Sequence, residues 1–412
     1  MRRVVVTGMG GVSALGNDWA SIEAAFRAGT SAVRYMTEWE RYVDMGTRLA
    51  APCVSFAPPE NWTRKQLRGM GRVSQLAVRA GELALSDAGL IGNALLGDGE
   101  MGVACGSCIG STPDMLDFAH MLLDGNGKGV NANSYIRMMP HTAAANIGIF
   151  FGMKGRVIPT NSACTSGSQA IGYAYEAILH GSQTRMLAGG AEELCPTQAK
   201  AFDTLYATSR RNEQPRLTPR PYDAERDGLV VGEGGAFLVL EELEAARARG
   251  AKIHAEIIGY STNSDGTHVT RPEENTMRIV MENALKSARI TAGEVDYVNG
   301  HGTATMHGDQ AESRATNAVF GPDMPISSQK SFLGHTLGAC GALEAWFSIE
   351  MMNRHWFAPT LNLEQVDPQC APLDYLRSDG REHGREIDAD IVVSNNFAFG
   401  GINTSLVLKR CA

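Results

Sequence analysis

Three kinds of side chain with the reactivity for covalent catalysis stand beside glycine or other small residues in the 412-residue chain. Cys164 opens the run Thr165-Ser166-Gly167-Ser168, which continues through Ala170, Gly172 and Ala174. Small residues let a helix be approached closely from all sides, so the pattern predicts a buried helix starting at about Cys164. A thiol at a helix start sits at the positive end of the dipole, which favours thiolate and lowers the pKa below its free value of about 8.5. A buried, inert core cysteine is the structural alternative. His301 lies in Asn299-Gly300-His301-Gly302, and Lys330 and His335 share the segment Lys330-Ser331-Phe332-Leu333-Gly334-His335. Either histidine alone fits a satisfied structural role. Cysteine with histidine is an activated-nucleophile pair. A second histidine exceeds what acyl hydrolysis requires and suits a reaction that generates an anion and holds its oxygen by hydrogen bonds.

The elements that must position these groups repeat. Arg3–Thr7 reads as a buried strand followed by a glycine turn, Gly8-Met9-Gly10-Gly11, and a helix from about Asp18. That order also fits a dinucleotide-binding turn, but Ser13 stands where the third glycine belongs. Met186–Glu193 reads as a strand ending in a glycine corner at Gly189-Gly190. From Ile253 the pattern restarts, with strands over 253–260, 295–299, 391–394 and 403–408 and helices over 274–289, 309–319 and 337–353. Strand-then-glycine corners therefore occur in both halves in the same order. We read an internally duplicated α/β protein, residues 1–250 and 251–412, with its chemistry at the seam between the halves.

Composition bounds the function. With 43% hydrophobic and 20% charged residues the chain is an ordinary globular protein, and its net charge of -8 opposes bulk nucleic-acid binding. No stretch approaches the ~20 apolar residues needed to cross a bilayer. The eight cysteines are scattered, and Cys105 with Cys108 forms a lone C-x-x-C without the second pair of a zinc site. We expect reduced thiols in a cytoplasmic enzyme. Arg64, Lys65, Arg68 and Arg72 form a local basic cluster, either a solvated helix face or a dock for an acidic partner.

Four segments, S-A-C-T-S-G, G-H-G-T-A-T-x-x-G-D, K-S-x-x-G-H-T-x-G-A and N-N-F-A-F-G-G, resemble the signatures of β-ketoacyl-acyl-carrier-protein synthases of the I/II type, in the thiolase superfamily. The likeness runs over essentially the whole chain. It implies the thiolase-like fold, an internally duplicated five-layered α-β-α-β-α arrangement, and a homodimer or a related heterodimer. Cys164 matches the nucleophile that takes an acyl group from acyl carrier protein. His301 and His335 match the pair that assists decarboxylation of a malonyl unit and steadies the enolate. Lys330 matches a supporting lysine, with Glu312 as its expected ion partner. The backbone N–H groups of Cys164 and Phe399 match the oxyanion hole, and Phe399 matches the gate. Thr303 and Thr305 match the hydroxyls that hold the pantetheine arm, Ile109 a wall of the acyl pocket, and Phe397 falls on the substrate side. The resemblance turns the Arg64–Arg72 cluster into a carrier-protein dock. No metal or redox cofactor is implied.

Met306-His307, Phe332-Leu333, Ala398 and Ile402 depart from the usual family residues. These departures point to a specialised paralogue, such as one making polyene or polyketide chains like aryl polyene pigments. A thiolase needs a second cysteine where Asn395-Asn396-Phe397 stands, and an initiating synthase has asparagine where His335 stands. A non-catalytic chain-length partner subunit lacks the nucleophile that Cys164 supplies.

Overall fold

The computed structural model describes residues 2–378 and 383–411. Val4–Ser13 forms strand β1, and all ten of its residues are buried. The expected glycine turn after Thr7 is therefore absent: Gly8, Gly10 and Gly11 continue the strand. The reason is crowding by helix α1, Arg72–Asp87. A Cβ at Gly8 would lie 2.4 Å from the carbonyl oxygen of Ala84 on that helix. The first half continues with β2 (Met101–Gly106), β3 (Val157–Thr160), helix α2 (Ser166–Leu179), β4 (Arg185–Glu192) and β5 (Gly234–Glu242). The corner expected at Gly189-Gly190 is also strand interior. A Cβ at Gly190 would approach the Gly338 carbonyl to 2.5 Å, so the small residues admit a neighbouring turn.

The second half contains β6 (Ala255–Ser264), helix α3 (Glu274–Ala288), β7 (Tyr297–Asn299), helix α4 (Met306–Phe320), β8 (Pro325–Ser327), helix α5 (Cys340–Asn353), β9 (Ile391–Ala398) and β10 (Ile402–Arg410). Strand β9 runs past Ser394, so Asn395, Asn396 and Phe397 are strand residues, not a corner.

Across one half the strand order is β3-β2-β4-β5-β1; across the other it is β8-β7-β9-β10-β6. Within each half the pairings follow the same rule. β2 is parallel to β3 and β4, while β4–β5 and β5–β1 are antiparallel. β7 is parallel to β8 and β9, while β9–β10 and β10–β6 are antiparallel. β1 pairs antiparallel with β6, through Val4 and Ile257, and joins the halves. Two α/β units with one topology are therefore fused edge to edge.

Helices α2 and α5 form the central layer and touch strands of both halves. Nearly every residue of both is buried, as their small and apolar sequences require. Helix α1 covers the outer face of the first half, and α3 and α4 cover that of the second. The result is the five-layered α-β-α-β-α arrangement.

Candidate active site

Cys164 is held ahead of the helix proper, in a 3-10 turn spanning Ala163–Thr165, and α2 begins at Ser166. The turn is sharp: Ala163 has φ of 52°, a left-handed conformation that costs a non-glycine residue about 1 kcal/mol or more. The second half repeats the device, with Leu337 at φ 48° before α5. The Ser166 hydroxyl closes the first turn, accepting the Ser162 N–H at 2.9 Å and donating to the Ala163 carbonyl at 2.7 Å. A fixed, tight turn of this kind aims the thiol at a single point.

His335 Nε2 lies 2.9 Å from Cys164 Sγ. Its other nitrogen, Nδ1, accepts the Leu337 N–H at 3.3 Å. An accepting Nδ1 leaves the proton of a neutral ring on Nε2, so His335 donates to sulfur and does not act as its base. His301 is set the same way. Lys330 Nζ lies 3.2 Å and Asn396 Nδ2 3.4 Å from His301 Nδ1, which leaves an Nε2–H. The two imidazoles meet edge to face with centroids 5.1 Å apart. The Cys164 sulfur and a nitrogen from each ring lie within 4.8 Å of one another. Such a donor set has the chemistry of a metal site, but the Lys330 ammonium stands against it and repels a cation.

Lys330 pairs with Glu344 of α5, not with the expected Glu312. Both side chains are almost fully buried. Glu344 also accepts from Asn396 Nδ2 at 2.6 Å. Glu312 instead binds backbone: it accepts the N–H groups of His301 and Gly302 and the Tyr222 hydroxyl at 3.1 Å. Its carboxyl is pushed up to about 7, chiefly by burial, against which the Gly302 N–H works. Glu312 therefore shapes the loop that carries His301. Asp309 does likewise for the threonines, accepting the N–H groups of Thr303 and Ala304 at 3.0 and 3.1 Å. The Thr303 and Thr305 hydroxyls then sit 2.9 Å apart.

Burial decides the charges. It pushes both imidazoles well below the ordinary histidine value of 6.5, with Lys330 adding to the effect, so both are neutral at neutral pH. Burial also opposes the Lys330 ammonium, but Glu344 chiefly outweighs it and the lysine stays charged. The Cys164 thiol is pushed up to about 12, again by burial first. Lys330 and the backbone N–H groups of Phe399 and Cys164 favour thiolate without overcoming that penalty. The lowered pKa expected from the helix start is thus overturned: desolvation exceeds a dipole contribution of at most ~2 kcal/mol. The same N–H pair is placed to stabilise charge beside the sulfur.

A cavity of about 410 Å³ opens onto Cys164, His301 and His335. Thr303, Thr305, Phe397 and Phe399 line its walls, and Met306, His307 and Arg271 stand towards its rim. The Phe399 ring leans on Phe202 at 5.4 Å. Ile109 does not line this cavity. It lies in the loop after β2, whose Cys108 bears electrostatically on Cys164. Phe332, a departure from the family pattern, is a core residue against Phe26 at 4.8 Å. Among the basic cluster, Arg64 and Lys65 are exposed on a short helix, Arg64–Leu67, with Thr63 as cap, and Arg68 is exposed at its C-terminal end. Arg72 departs from the expectation: it is half-buried and paired to Glu233, because Glu233 would otherwise be a buried, uncompensated carboxylate.

Sequence reasoning missed Glu344, Asn396, Asp309 and Glu192. A signal for Glu344 existed: an acid within the apolar stretch of α5 must be paired once that helix is buried.

The model of the β-ketoacyl synthase N-terminal domain matches residues 1–246, and that of the C-terminal domain matches residues 254–364. The 3-oxoacyl-[acyl-carrier-protein] synthase 2 of Coxiella burnetii is 38% identical over 99% of both chains. A β-ketoacyl synthase from Burkholderia phymatum superposes with a TM-score of 0.98 at 60% identity over the whole of both chains. A type II polyketide ketosynthase, solved with its acyl-carrier protein and bound to the hexaketide, gives 0.87 at 29% identity over the whole of both. With the thiol and the two imidazoles meeting in one cavity of a duplicated α/β fold, and a buried lysine against one of the rings, the chain belongs to the β-ketoacyl synthase family.

Proposed function

We propose that this enzyme extends a Cys164-bound acyl chain by two carbons, using malonyl units on acyl carrier protein. The observation that carries the reading is the meeting of the Cys164 sulfur with two neutral imidazoles, each presenting Nε2–H. In the first step sulfur attacks the acyl thioester, the carrier thiol leaves, and the thiol proton leaves with it. The N–H groups of Cys164 and Phe399 hold the oxyanion of the tetrahedral intermediate. A thioester sulfur is a weak acceptor, so acylation frees His335 Nε2–H for the malonyl thioester oxygen beside His301 Nε2–H. Carbon dioxide departs, the resulting enolate attacks the acyl carbonyl, and Cys164 leaves as thiolate, which takes up a solvent proton to return to the resting thiol. Each such donor contributes about 3 to 4 kcal/mol to the transition state. Thr303 and Thr305 hold the pantetheine arm and Phe397 and Phe399 flank it; the acyl chain runs outside this cavity, along the loop after β2, where Ile109 closes its path.

Arg64, Lys65 and Arg68 receive the acidic carrier protein, while Arg72 is taken up by Glu233. The assembled nucleophile and histidine pair disfavour a non-catalytic chain-length subunit. The two units divide near residue 250, and the enzyme works in the cytoplasm. A second copy of the chain covers the exposed apolar face. Helix Leu116–Asp124 buries no residue, with Leu122 and Leu123 79% and 83% exposed, and the edge strand β3 leaves Val157 half-exposed. Sedimentation as a monomer at working concentration overturns the dimer.

Intact-protein mass spectrometry tests the reaction and its pathway. The chain is mixed with saturated, polyenoyl and aryl-polyenoyl carrier thioesters. A mass gain on Cys164 from saturated donors places it in fatty-acid assembly; a gain from unsaturated or aryl donors alone places it in polyene or polyketide assembly. No gain from any donor overturns the reading.

A further inference from the structure

Two adjacent carboxylates at the end of β4, Glu192 and Glu193, are buried to 0% and 1% exposure, and the reaction uses neither directly. Glu192 accepts the Ser107 hydroxyl at 3.1 Å and the N–H groups of Cys108 and Ile109 at 2.6 and 3.3 Å. It also accepts the Gly338 N–H at 3.0 Å. The first three donors belong to the loop that carries Ile109. The fourth belongs to the turn that follows His335, whose Leu337 N–H fixes the His335 tautomer. Glu193 extends the clasp, accepting the Ser111 hydroxyl at 2.6 Å, the Thr112 N–H at 3.0 Å and the Val73 N–H at the start of α1 at 3.2 Å.

We propose that Glu192 is a positioning residue that ties the acyl-pocket wall at Ile109 to the turn that sets His335, so that one side chain governs both chain-length acceptance and Cys164 reactivity. This rests on the reading of Ile109 as that wall. Four donors converging from two segments leave neither segment free to shift alone. Glutamine cannot reproduce the arrangement, because its amide nitrogen would face N–H groups.

The charge matters as well as the shape. The titratable groups facing Glu192 are the thiols of Cys105 and Cys108 on β2 and its loop and of Cys164 in the elbow. Among the described residues no cation pairs with Glu192; its burial pushes its carboxyl up to about 7, against the donors that hold it. When ionised it opposes the Cys164 thiolate. A brace that served shape alone would leave the thiol's titration untouched.

The test uses the full-length enzyme with Glu192→Gln, Glu192→Asp and, as a control, Ile109→Gly. Iodoacetamide alkylation of Cys164 is followed by peptide mass against pH, and Cys164 acylation is followed across a series of acyl-carrier chain lengths. Glu192→Gln is expected to move the alkylation midpoint down by about one pH unit, since a like charge nearby is gone. It is also expected to change acylation by the longest accepted chain about tenfold, a displacement effect of modest size. Glu192→Asp keeps the charge but is one methylene short. It is expected to leave the midpoint in place and alter the length profile, and it carries the test if the glutamine variant does not fold. Length and pH profiles matching wild type in the folded variants, while Ile109→Gly lengthens the accepted chain, overturn the proposal and leave the wall intact. Unchanged profiles in all three variants overturn the wall as well.

Discussion

Replacing Lys330 by methionine separates the two things this side chain does. Methionine roughly matches its stem, so the main change is the loss of a buried ammonium that meets Glu344 and His301 Nδ1. Glu344 then stays buried without its counter-charge, which costs about 3 to 5 kcal/mol. His301 loses a charge-assisted donor, a contact of about 1.5 to 3 kcal/mol and the stronger of the two donors that hold its tautomer, the other being Asn396 Nδ2. If that contact is expressed in the transition state, malonyl decarboxylation falls about 10- to 100-fold. The double variant Lys330→Met/Glu344→Met removes both charges. It regains most of the stability, though Asn396 loses an acceptor worth about 1 to 3 kcal/mol. Activity does not return, because His301 still lacks its donor. Denaturant unfolding and carbon dioxide release from malonyl carrier protein read the two effects separately. A double variant no more stable than the single one, or a single variant that decarboxylates at the wild-type rate, refutes the reasoning.

Three further outcomes follow from the same geometry. Cys164→Ala abolishes acyl transfer while the protein stays folded, and label transferred to the variant protein from an acyl donor contradicts the assignment. Lys65→Glu with Arg68→Glu raises KM for acyl carrier protein at low salt with little change in stability, because both side chains are exposed. Arg72→Ala instead destabilises the fold by about 1 to 3 kcal/mol, because Glu233 loses its cation and keeps only the Cys53 and Leu194 N–H groups; equal stability losses at all three positions count against the division. The two active-site histidines have folded pKa values depressed below 6.5, chiefly by burial. The unfolded chain therefore takes up protons first as pH falls through 6.5, and the pair withdraws stability below that pH. In the folded enzyme, decarboxylation shows no histidine titration between pH 6.5 and 8, and a limb with a pKa near 6.5 would place a charged imidazole in the resting site.

Much of the site was legible because its chemistry is local. Cys164, His301, Lys330 and His335 each sit in a short segment of small residues, and the duplication showed in the order of strands and helices. The glycines misled where they were read as turns. Gly8 and Gly190 lie inside strands because a helix and a turn press on them from elsewhere in the chain. Ile109 was assigned to the pocket by resemblance, yet it lies outside the cavity that opens on the thiol.

What the sequence by itself determined is the set of reactive groups and the α/β duplication that brings them to a seam. Residue identity and periodicity are properties of the chain, and they suffice for that. Tertiary structure decided the charges and the partners. Glu344, not Glu312, meets Lys330, because α5 passes behind the histidines in the central layer. Cys164 rests as a thiol and both imidazoles are neutral, because desolvation by two sheets outweighs the local dipole. Arg72 leaves the exposed basic cluster for Glu233, because a buried carboxylate draws the nearest cation. Each outcome depends on distances across layers and on lost solvent, quantities that exist only once the two halves have closed on each other.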